Sequence, residues 1–292
     1  SSSDNRLPCV IYWGKSLPSH ESPDEMIEAS KKDWGDNLID LVPELSILPE
    51  QSANFSGQLG SKMRDINGQL LSSSFVFHSD KVSANSLTLI YKDKELGLTY
   101  TAKIDSMEEH DVFALEAKIE SKNPIIMEWL SAPVIEASQN SNEIVGYGGH
   151  WGGEFRRQTT PWVTGAHLRE SRVGTTSHAH FPGLLIPASG SSENSGSCYG
   201  FHYGWSGGHR MVAEQLQDGR KQIQFGHTEN SELSPGKSFE TAKLYITHSG
   251  DGAGGVGRTF RAFVSNFLVD LPKDSIRPVH YNCWEAVYFD HN

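Results

Sequence analysis

Residues 96–104 read LGLTYTAKI and residues 113–119 read FALEAKI. In the first run, positions 96, 98, 100, 102 and 104 carry large or apolar side chains, and Gly, Thr or Lys stand between them. In the second run, positions 113, 115, 117 and 119 are apolar, and Glu116 and Lys118 lie among the opposite set. A period of two puts one side-chain set on a core, which predicts a β-strand in each run.

The same alternation recurs along the chain. Tyr199 to Trp205 and Ala242 to Ile246 show it, and shorter candidate strands lie at 10–13, 74–77, 86–91 and 222–225. Turn sequences separate them, among them Asn67-Gly68, Asp218-Gly219 and Ser234-Pro235-Gly236. Many short strands separated by turns predict an all-β fold, which we expect to be a large antiparallel sandwich.

One late segment has the period of a helix instead. Its apolar residues form a single stripe of about three turns: Phe260, Phe263, Val264, Phe267, Leu268 and Leu271. Pro272 is expected to end this helix and Thr259 to cap its start. The preceding run from Gly250 to Gly257 is interpreted as a loop. A glycine-rich loop that binds phosphate lies between a strand and a helix at a set spacing, and no such unit surrounds this run. No cofactor is therefore predicted.

Composition restricts the class of partner. The chain has 292 residues, 21% of them charged, and a net charge of −11, so nucleic acid is not expected to bind. No apolar run reaches the ~18 residues of a membrane span, and Ser1 to Pro8 show no signal-peptide pattern. Three widely spaced cysteines, Cys9, Cys198 and Cys283, predict thiols in a reducing compartment, the cytoplasm.

The densest polar stretch, residues 146–180, allows three interpretations. His178 and His180 could be zinc ligands with a third residue, but a lone His-x-His is a weak signal. Ser177, His178 and Glu170 could form a hydrolytic triad, although no Gly-x-Ser-x-Gly motif holds the serine. A solvated strand-turn region with structural ion pairs is favoured, and no metal site is predicted.

Four tryptophans, Trp151, Trp162, Trp205 and Trp284, lie beside Gly, Pro or polar residues rather than in apolar runs. The C–H faces of sugar rings pack on aromatic planes, while carboxylates and Arg bind hydroxyls. Saccharide contact is therefore physically reasonable, and packing inside a sandwich explains any one of these residues equally well.

Several motifs together resemble a known family. They are, in chain order, Ile11 to Lys15, Gly148 to Glu154, Gly165, Glu170 to His178, Pro182, Tyr199 to Gly207, Leu233 to Gly236, Phe239 to Thr241, and Arg277 to Asp290. The chain resembles the N-terminal domain of glycoside hydrolase family 36, the α-galactosidase or melibiase type. The last motif, RPVHYNCWEAVYFD, is similar to the first strand of the family's catalytic barrel.

The resemblance implies a fold and an activity. Residues 1–274 would form a β-supersandwich, and residues 275–292 a linker and the first strand of a (β/α)8 barrel otherwise missing from this chain. The complete protein would hydrolyse terminal α-galactosides with retention. Both catalytic aspartates would lie on the barrel beyond residue 292, so this fragment alone would be inactive. An α-N-acetylgalactosaminidase of the same family is the alternative.

The resemblance also names substrate-binding residues. Trp284 matches a tryptophan that walls the galactose subsite, and Asn282 and Asp290 flank it. In several tetrameric members an Asp and an Arg of a neighbouring N-terminal domain reach the active site. Arg64 and Asp65 lie in the corresponding region, although residues 49–69 do not carry that motif. The sequence therefore does not decide whether neighbouring subunits share their active sites. A homo-oligomer formed through the N-terminal domain is expected.

Two other classes of protein remain in competition with the enzyme. One is a stand-alone carbohydrate-binding module and the other a scaffold that kept the sandwich and lost the chemistry. The segment from Arg277 to Asn292 disfavours the module, because it resembles the first strand of something larger. Two aspartates at the ends of later strands would identify the enzyme.

Overall fold

The structure, a computed structural model, describes residues 5–18, 22–30, 43–176, 178–230, 234–270, 276 and 278–290. Within these ranges the strands are β1 Ser61–Asp65, β2 Leu70–Leu71, β3 Val76–Val82, β4 Ser86–Asp93, β5 Leu98–Met107, β6 Val112–Leu130, β7 Ile135–Glu136, β8 Glu143–His150, β9 Gly153–Pro161, β10 Gly165–Ser171, β11 His180–Pro187, β12 Cys198–Tyr203, β13 His209–Gln215, β14 Lys221–His227, β15 Gly236–Glu240 and β16 Leu244–Ser249. The helices are α1 Pro23–Ser30, α2 Gly252–Phe263 and α3 Trp284–Val287, with 3₁₀ turns at Gln51–Ala53 and Glu108–His110 and a π-helical turn at Val264–Leu268. None of these helices has the length and apolarity that a bilayer-spanning segment needs.

The strands form two sheets. The larger has the order β3-β4-β5-β6-β16-β12-β11-β8-β9, with β1 and β15 also paired to β6, and β2 paired to β1. The smaller has the order β10-β13-β14-β7. Every pairing between named strands is antiparallel. The prediction of a large antiparallel β-sandwich with one main late helix is therefore confirmed.

Strand β6 organises the larger sheet. It is 19 residues long and pairs with β5 along its first half, from Met107↔Val112 to Leu98↔Ser121. Its other edge pairs successively with β16 and β15, and its end pairs with β1. One strand thus joins four others.

The main core lies between the two sheets. Phe201, Tyr203 and Ile246 of the larger sheet and Ile223 and Phe225 of the smaller one belong to a single buried cluster. Each is at most 3% exposed. Burial of these large side chains supplies the principal driving force for closing the sandwich.

A second core holds the N-terminal segment against the larger sheet. Leu7 and Leu48 pack with Met63, Tyr100 and Ile119 in one buried cluster. The segment does not form the strand expected at 10–13; its only described pairing is an isolated bridge between residues 9 and 46. The prediction of a strand at 10–13 is wrong, because side-chain packing rather than a ladder of strand hydrogen bonds holds this segment in place.

Trp13 lies edge-on to Tyr199 and Phe201, with ring centroids 4.8 and 5.4 Å away. Its indole N–H donates to the carbonyl oxygen of Glu136 at 3.3 Å. Aromatic contacts and one long-range hydrogen bond thus anchor a segment that has no ladder of its own.

The late helix begins earlier than the sequence predicts. The glycine-rich run expected to be a loop forms the first half of α2, and Thr259 lies inside the helix rather than at its cap. A Cβ at Gly255 would lie 2.0 Å from Ser249 Oγ, and one at Gly200 would lie 2.3 Å from Val256. Close packing against β12 and β16 therefore requires glycine, and this tertiary contact overrides glycine's low helix propensity. Leu271 and Pro272, expected at the helix end, lie outside the described residues.

The C-terminal segment carries the last helix of the described residues. The described residues 278–290 contain the one-turn helix α3 where the first barrel strand is expected. A strand in a barrel takes its hydrogen bonds from neighbouring strands, and no described strand pairs with this segment. The assignment of residues 275–292 to a barrel strand, and a domain boundary near Asp274, stay predictions. The short helix α1 was also not predicted.

Candidate functional site

Asp65 closes the turn between β1 and β2. Its Oδ1 accepts the backbone N–H of Asn67 at 2.9 Å and that of Gln69 at 2.8 Å. Gly68 completes the turn with φ of +86°, a conformation that glycine adopts without strain. This carboxylate is therefore engaged by its own hairpin.

Arg64 has a different environment although it is adjacent in sequence. Its Nε donates to Glu128 Oε1 at 2.6 Å and its Nη1 donates to the Gly68 carbonyl at 2.9 Å. The side chain remains 42% exposed. It borders a cavity of about 260 Å³ whose polar lining includes Lys62 and Ser72.

Glu50 lies at the inner end of the same cavity. It is 8% exposed, and its Oε1 accepts Ser73 Oγ–H at 2.9 Å and the Phe75 N–H at 3.2 Å. Desolvation raises the pKa of Glu50 to about 7, opposed by these two hydrogen bonds and by Arg6. The cavity therefore combines the guanidinium of Arg64, which can bind hydroxyls of a neutral polar ligand, with a buried carboxyl whose Oε1 is engaged by Ser73 and Phe75.

The predicted tail residues lie together. Asn282 Oδ1 accepts the backbone N–H of Trp284, the first residue of α3, at 3.0 Å. The Trp284 ring is 46% exposed and contacts the rings of Tyr288 and Phe289 at 5.4 and 5.0 Å. Asp290 is exposed.

The five predicted site residues thus form two groups. Among the described residues, no hydrogen bond, ion pair or ring contact joins the pair at 64–65 to the three in the tail. The structure brings Trp284 and Asn282 into contact. Arg64 and Asp65 have different hydrogen-bond partners, because Arg64 binds Glu128 and Asp65 binds the backbone of its own turn.

The polar stretch 146–180 contains most of the β8–β9 hairpin, strand β10 of the smaller sheet and the first residue of β11. Glu154 accepts the Gly152 N–H at 2.8 Å and lies 3.4 Å from His178 Nε2. These contacts, the backbone hydrogen bond first, lower the pKa of Glu154. Ser177, the nucleophile of the hypothetical triad, lies outside the described residues. No three His, Cys, Asp or Glu side chains within the described ranges are grouped as a metal site.

Sequence reasoning missed a buried cationic residue with histidines around it. Arg169 is 4% exposed; its Nε donates to His167 Nε2 at 3.0 Å and its Nη2 to Thr160 Oγ1 at 3.2 Å. Burial lowers the pKa of His180, and the charge of Arg169 lowers it further. His209 is fully buried and its pKa is also lowered by burial. The two-residue repeat of β10 could have identified Arg169 as buried, because it puts positions 167, 169 and 171 on the inner face of the strand.

The comparison with known proteins supports the class of fold described above. Residues 6–233 match the family described as glycosyl hydrolase family 36 N-terminal domain. The alpha-galactosidase of Escherichia coli is 30% identical over 97% of this chain and 40% of its own length. Alpha-galactosidase AgaA of Geobacillus stearothermophilus is 29% identical over 78% of this chain and 31% of its own length.

The solved structure of the GH36 alpha-galactosidase AgaA from the same species has the same fold. It superposes with a TM-score of 0.84 at 22% identity, covering 99% of this chain and 44% of the other. The family match over residues 6–233 defines the class as the N-terminal domain of a glycosyl hydrolase, and the shared fold agrees with it. The chain belongs to glycoside hydrolase family 36. It spans less than half the length of these relatives.

Proposed function

We propose that this chain is the N-terminal part of a retaining α-galactosidase that removes terminal non-reducing α-D-galactosyl residues from oligosaccharides. One observation carries the proposal: the 30% identity to the Escherichia coli alpha-galactosidase extends over 97% of the chain. Such breadth means that the whole domain, and not a single motif, is shared with an enzyme of that name.

The proposed division of labour leaves the chemistry to the barrel. Residues 1–274 support it, residues 275–292 lead into it, and two aspartates beyond residue 292 act as nucleophile and acid/base. Retaining hydrolysis needs two carboxyls roughly 5–5.5 Å apart beside the sugar. Glu50, with its raised pKa, does not meet this need, because Ser73 and Phe75 occupy its oxygen and it is 8% exposed. This supports an inactive fragment.

The proposed substrate contacts come from both groups of site residues. Trp284 would stack on the galactose ring, with Asn282 and Asp290 shaping the same wall. Arg64 would offer its half-exposed guanidinium to substrate hydroxyls, in a homo-oligomer assembled through the N-terminal domain. Asp65 supports Arg64 by fixing the hairpin turn. The partner is an oligosaccharide, with no nucleic acid or membrane involved.

We also propose a cytoplasmic location. No disulfide links Cys9, Cys198 and Cys283, all of which lie in the described part of the chain. Burial raises the pKa of Cys198 to about 11, so this thiol stays protonated and unreactive at neutral pH.

The test compares the complete protein with the 292-residue chain. We expect the complete protein to hydrolyse p-nitrophenyl α-galactoside, with the α-anomer of galactose appearing first by NMR, and the fragment to give no turnover. Parallel assays with the α-N-acetylgalactosaminide and the β-galactoside measure specificity. Faster turnover of the N-acetylated substrate would favour the alternative activity, and absence of hydrolysis of either α-substrate would refute the proposal. Light scattering on the complete protein measures the oligomeric state.

A further inference from the structure

We propose that the sandwich itself has a second saccharide-binding site, a cleft in which Trp205 provides the stacking surface for a neutral sugar. This cleft shares Glu128 with the cavity beside Arg64 but is otherwise lined by different residues, and the tail that carries Trp284 does not line it. The inference rests on the proposed function only for the choice of a galactoside as ligand.

The cleft lies where β6, β14 and β15 meet the loop after β12. Its volume is about 500 Å³, within the range of roughly 300–1,000 Å³ typical of small-molecule sites. Residues 127–130 of β6 and 238–240 of β15 line it, together with His227, Thr228 and the loop from Trp205 to Gly208. Indole, imidazole, hydroxyl and carboxylate groups are therefore exposed in one concave surface.

The Trp205 ring is both exposed and fixed. It is 45% exposed and packs edge-on against His227, with ring centroids 4.6 Å apart. A Cβ at Gly207 would lie 2.6 Å from the indole Nε1, and one at Gly208 would lie 2.5 Å from Thr228 Oγ1. The two glycines thus allow the loop to close over the cleft with the ring in this position. A ring held in place binds a sugar face with little further loss of side-chain entropy.

Two carboxylates, Glu128 and Glu240, provide hydrogen-bond acceptors in the walls. Glu128 is oriented by Arg64, whose Nε binds its Oε1 at 2.6 Å. Carboxylates form charge-assisted hydrogen bonds with hydroxyl groups, and an aromatic face packs on the C–H side of a pyranose. The same carboxylates, in a chain with net charge −11, repel an anionic ligand. A neutral saccharide satisfies all of these groups.

A second concave surface lies between α2 and the β8–β11 region. It has a volume of about 460 Å³ and a mainly apolar lining that includes Phe155 and Phe181. The Trp205 cleft has both the ring platform and the acceptors that a sugar needs.

The experiment measures binding of methyl α-galactoside and raffinose to the 292-residue chain by calorimetry and ligand-observed NMR. We expect binding to the native chain, at least a tenfold loss in Trp205→Ala, and partial retention in Trp205→Phe, which keeps a ring. Trp151→Ala is the matched control, because Trp151 is 84% exposed in the β8–β9 hairpin and lies outside the cleft. It should bind as the native chain does. Thermal unfolding confirms that each variant is folded.

The proposal is overturned by absence of binding to the native chain, by unchanged binding in folded Trp205→Ala, or by equal losses in the Trp205 and Trp151 variants. If Trp205→Ala does not fold, Trp205→Phe and Glu240→Gln decide, since either must weaken binding. The outcome is separable from the proposed function. A fragment that binds the galactoside while the complete protein fails to hydrolyse it leaves the cleft in place and refutes only the enzyme; an active complete protein whose fragment binds no sugar refutes only the cleft.

Discussion

The carboxyl group of Glu50 shows how one residue makes stability depend on pH. Its pKa is about 7 in the folded chain, against 4.5 for the ordinary side chain, because burial penalises the charged form. The folded state therefore holds a proton that the unfolded state releases. The stabilisation is fully present below pH 4.5 and is lost as the pH rises through 7.

Glu50→Gln should remove this loss. The amide oxygen of Gln can accept the same hydrogen bonds from Ser73 and Phe75, and the side chain cannot ionise. We expect the free energy of unfolding to exceed that of the native chain by about 3 kcal/mol at pH 8 and by less than about 1 kcal/mol at pH 5. Urea denaturation at both pH values measures this. Glu95→Gln, at an exposed site, is the control and should change neither value. Equal stability of Glu50→Gln and the native chain at pH 8 would contradict the raised pKa.

Trp284→Ala in the complete protein should weaken galactoside binding, because the stacking face is lost. We expect KM for the chromogenic α-galactoside to rise tenfold or more. Trp284→Phe keeps an aromatic face and should raise KM less. Steady-state kinetics of both variants measure the difference. Unchanged KM and kcat in the alanine variant would remove Trp284 from the site.

The sequence predicted the site residues only as far as single side chains. Arg64 and Asp65 were predicted as a pair, but successive residues of a strand point to opposite faces. Arg64 therefore borders a cavity, and Asp65 binds its own turn. The partner that fixes Arg64 is Glu128, 64 residues away, and no local pattern connects two such positions.

Among the elements, α2 depends on where its glycines lie. Gly255→Ala should destabilise the chain by about 1–3 kcal/mol, as overpacking of a tight contact does, because the new Cβ would lie 2.0 Å from Ser249 Oγ and 2.9 Å from its Cβ. Gly257→Ala is the matched control on the exposed side, with no atom within 4 Å of the new Cβ. It should stabilise the chain by roughly 0.5–1 kcal/mol through helix propensity. Thermal unfolding of both variants measures the change in stability, which should be a loss for Gly255→Ala and a gain for Gly257→Ala. A change of the same sign in both variants would refute the packing explanation.

Strand prediction worked where one face of a strand is buried. Leu98, Tyr100 and Ala102 alternate as expected and are each at most 1% exposed. It did not work in β10, where the apolar Leu168 is 47% exposed and Arg169 is buried. Hydrophobic periodicity has no means of identifying an inward-facing arginine. The glycine-rich start of α2 could not be predicted either, because its glycines are explained only by the close contact with β12 and β16.

At the scale of the whole molecule, the histidines between the strands oppose the effect of Glu50. Burial lowers the pKa of His167, His180, His202 and His209, so the folded chain resists protons that the unfolded chain accepts near its ordinary pKa of 6.5. Their stabilisation is present above pH 6.5 and is lost as the pH falls through the lowered values. The two effects therefore oppose each other between about pH 4.5 and 7, and the native chain should depend on pH less steeply than the histidines alone would make it.

We expect Glu50→Gln to isolate the histidine contribution. In that variant the free energy of unfolding should fall steadily from pH 7.5 to pH 5, without the opposing rise that the native glutamate provides. Urea denaturation at half-unit intervals of pH measures the profile. A flat profile in the variant would show that the buried histidines do not titrate differently in the folded and unfolded chains.

Strand β6 also determines when the domain can assemble during synthesis. Its residues at 113–115 pair with β16, which ends at Ser249, and its middle pairs with β15. Until those distant segments leave the ribosome, one side of a 19-residue strand offers open backbone groups to any neighbouring chain. Completion of this sheet is thus delayed until β16, its last strand along the chain, has been made.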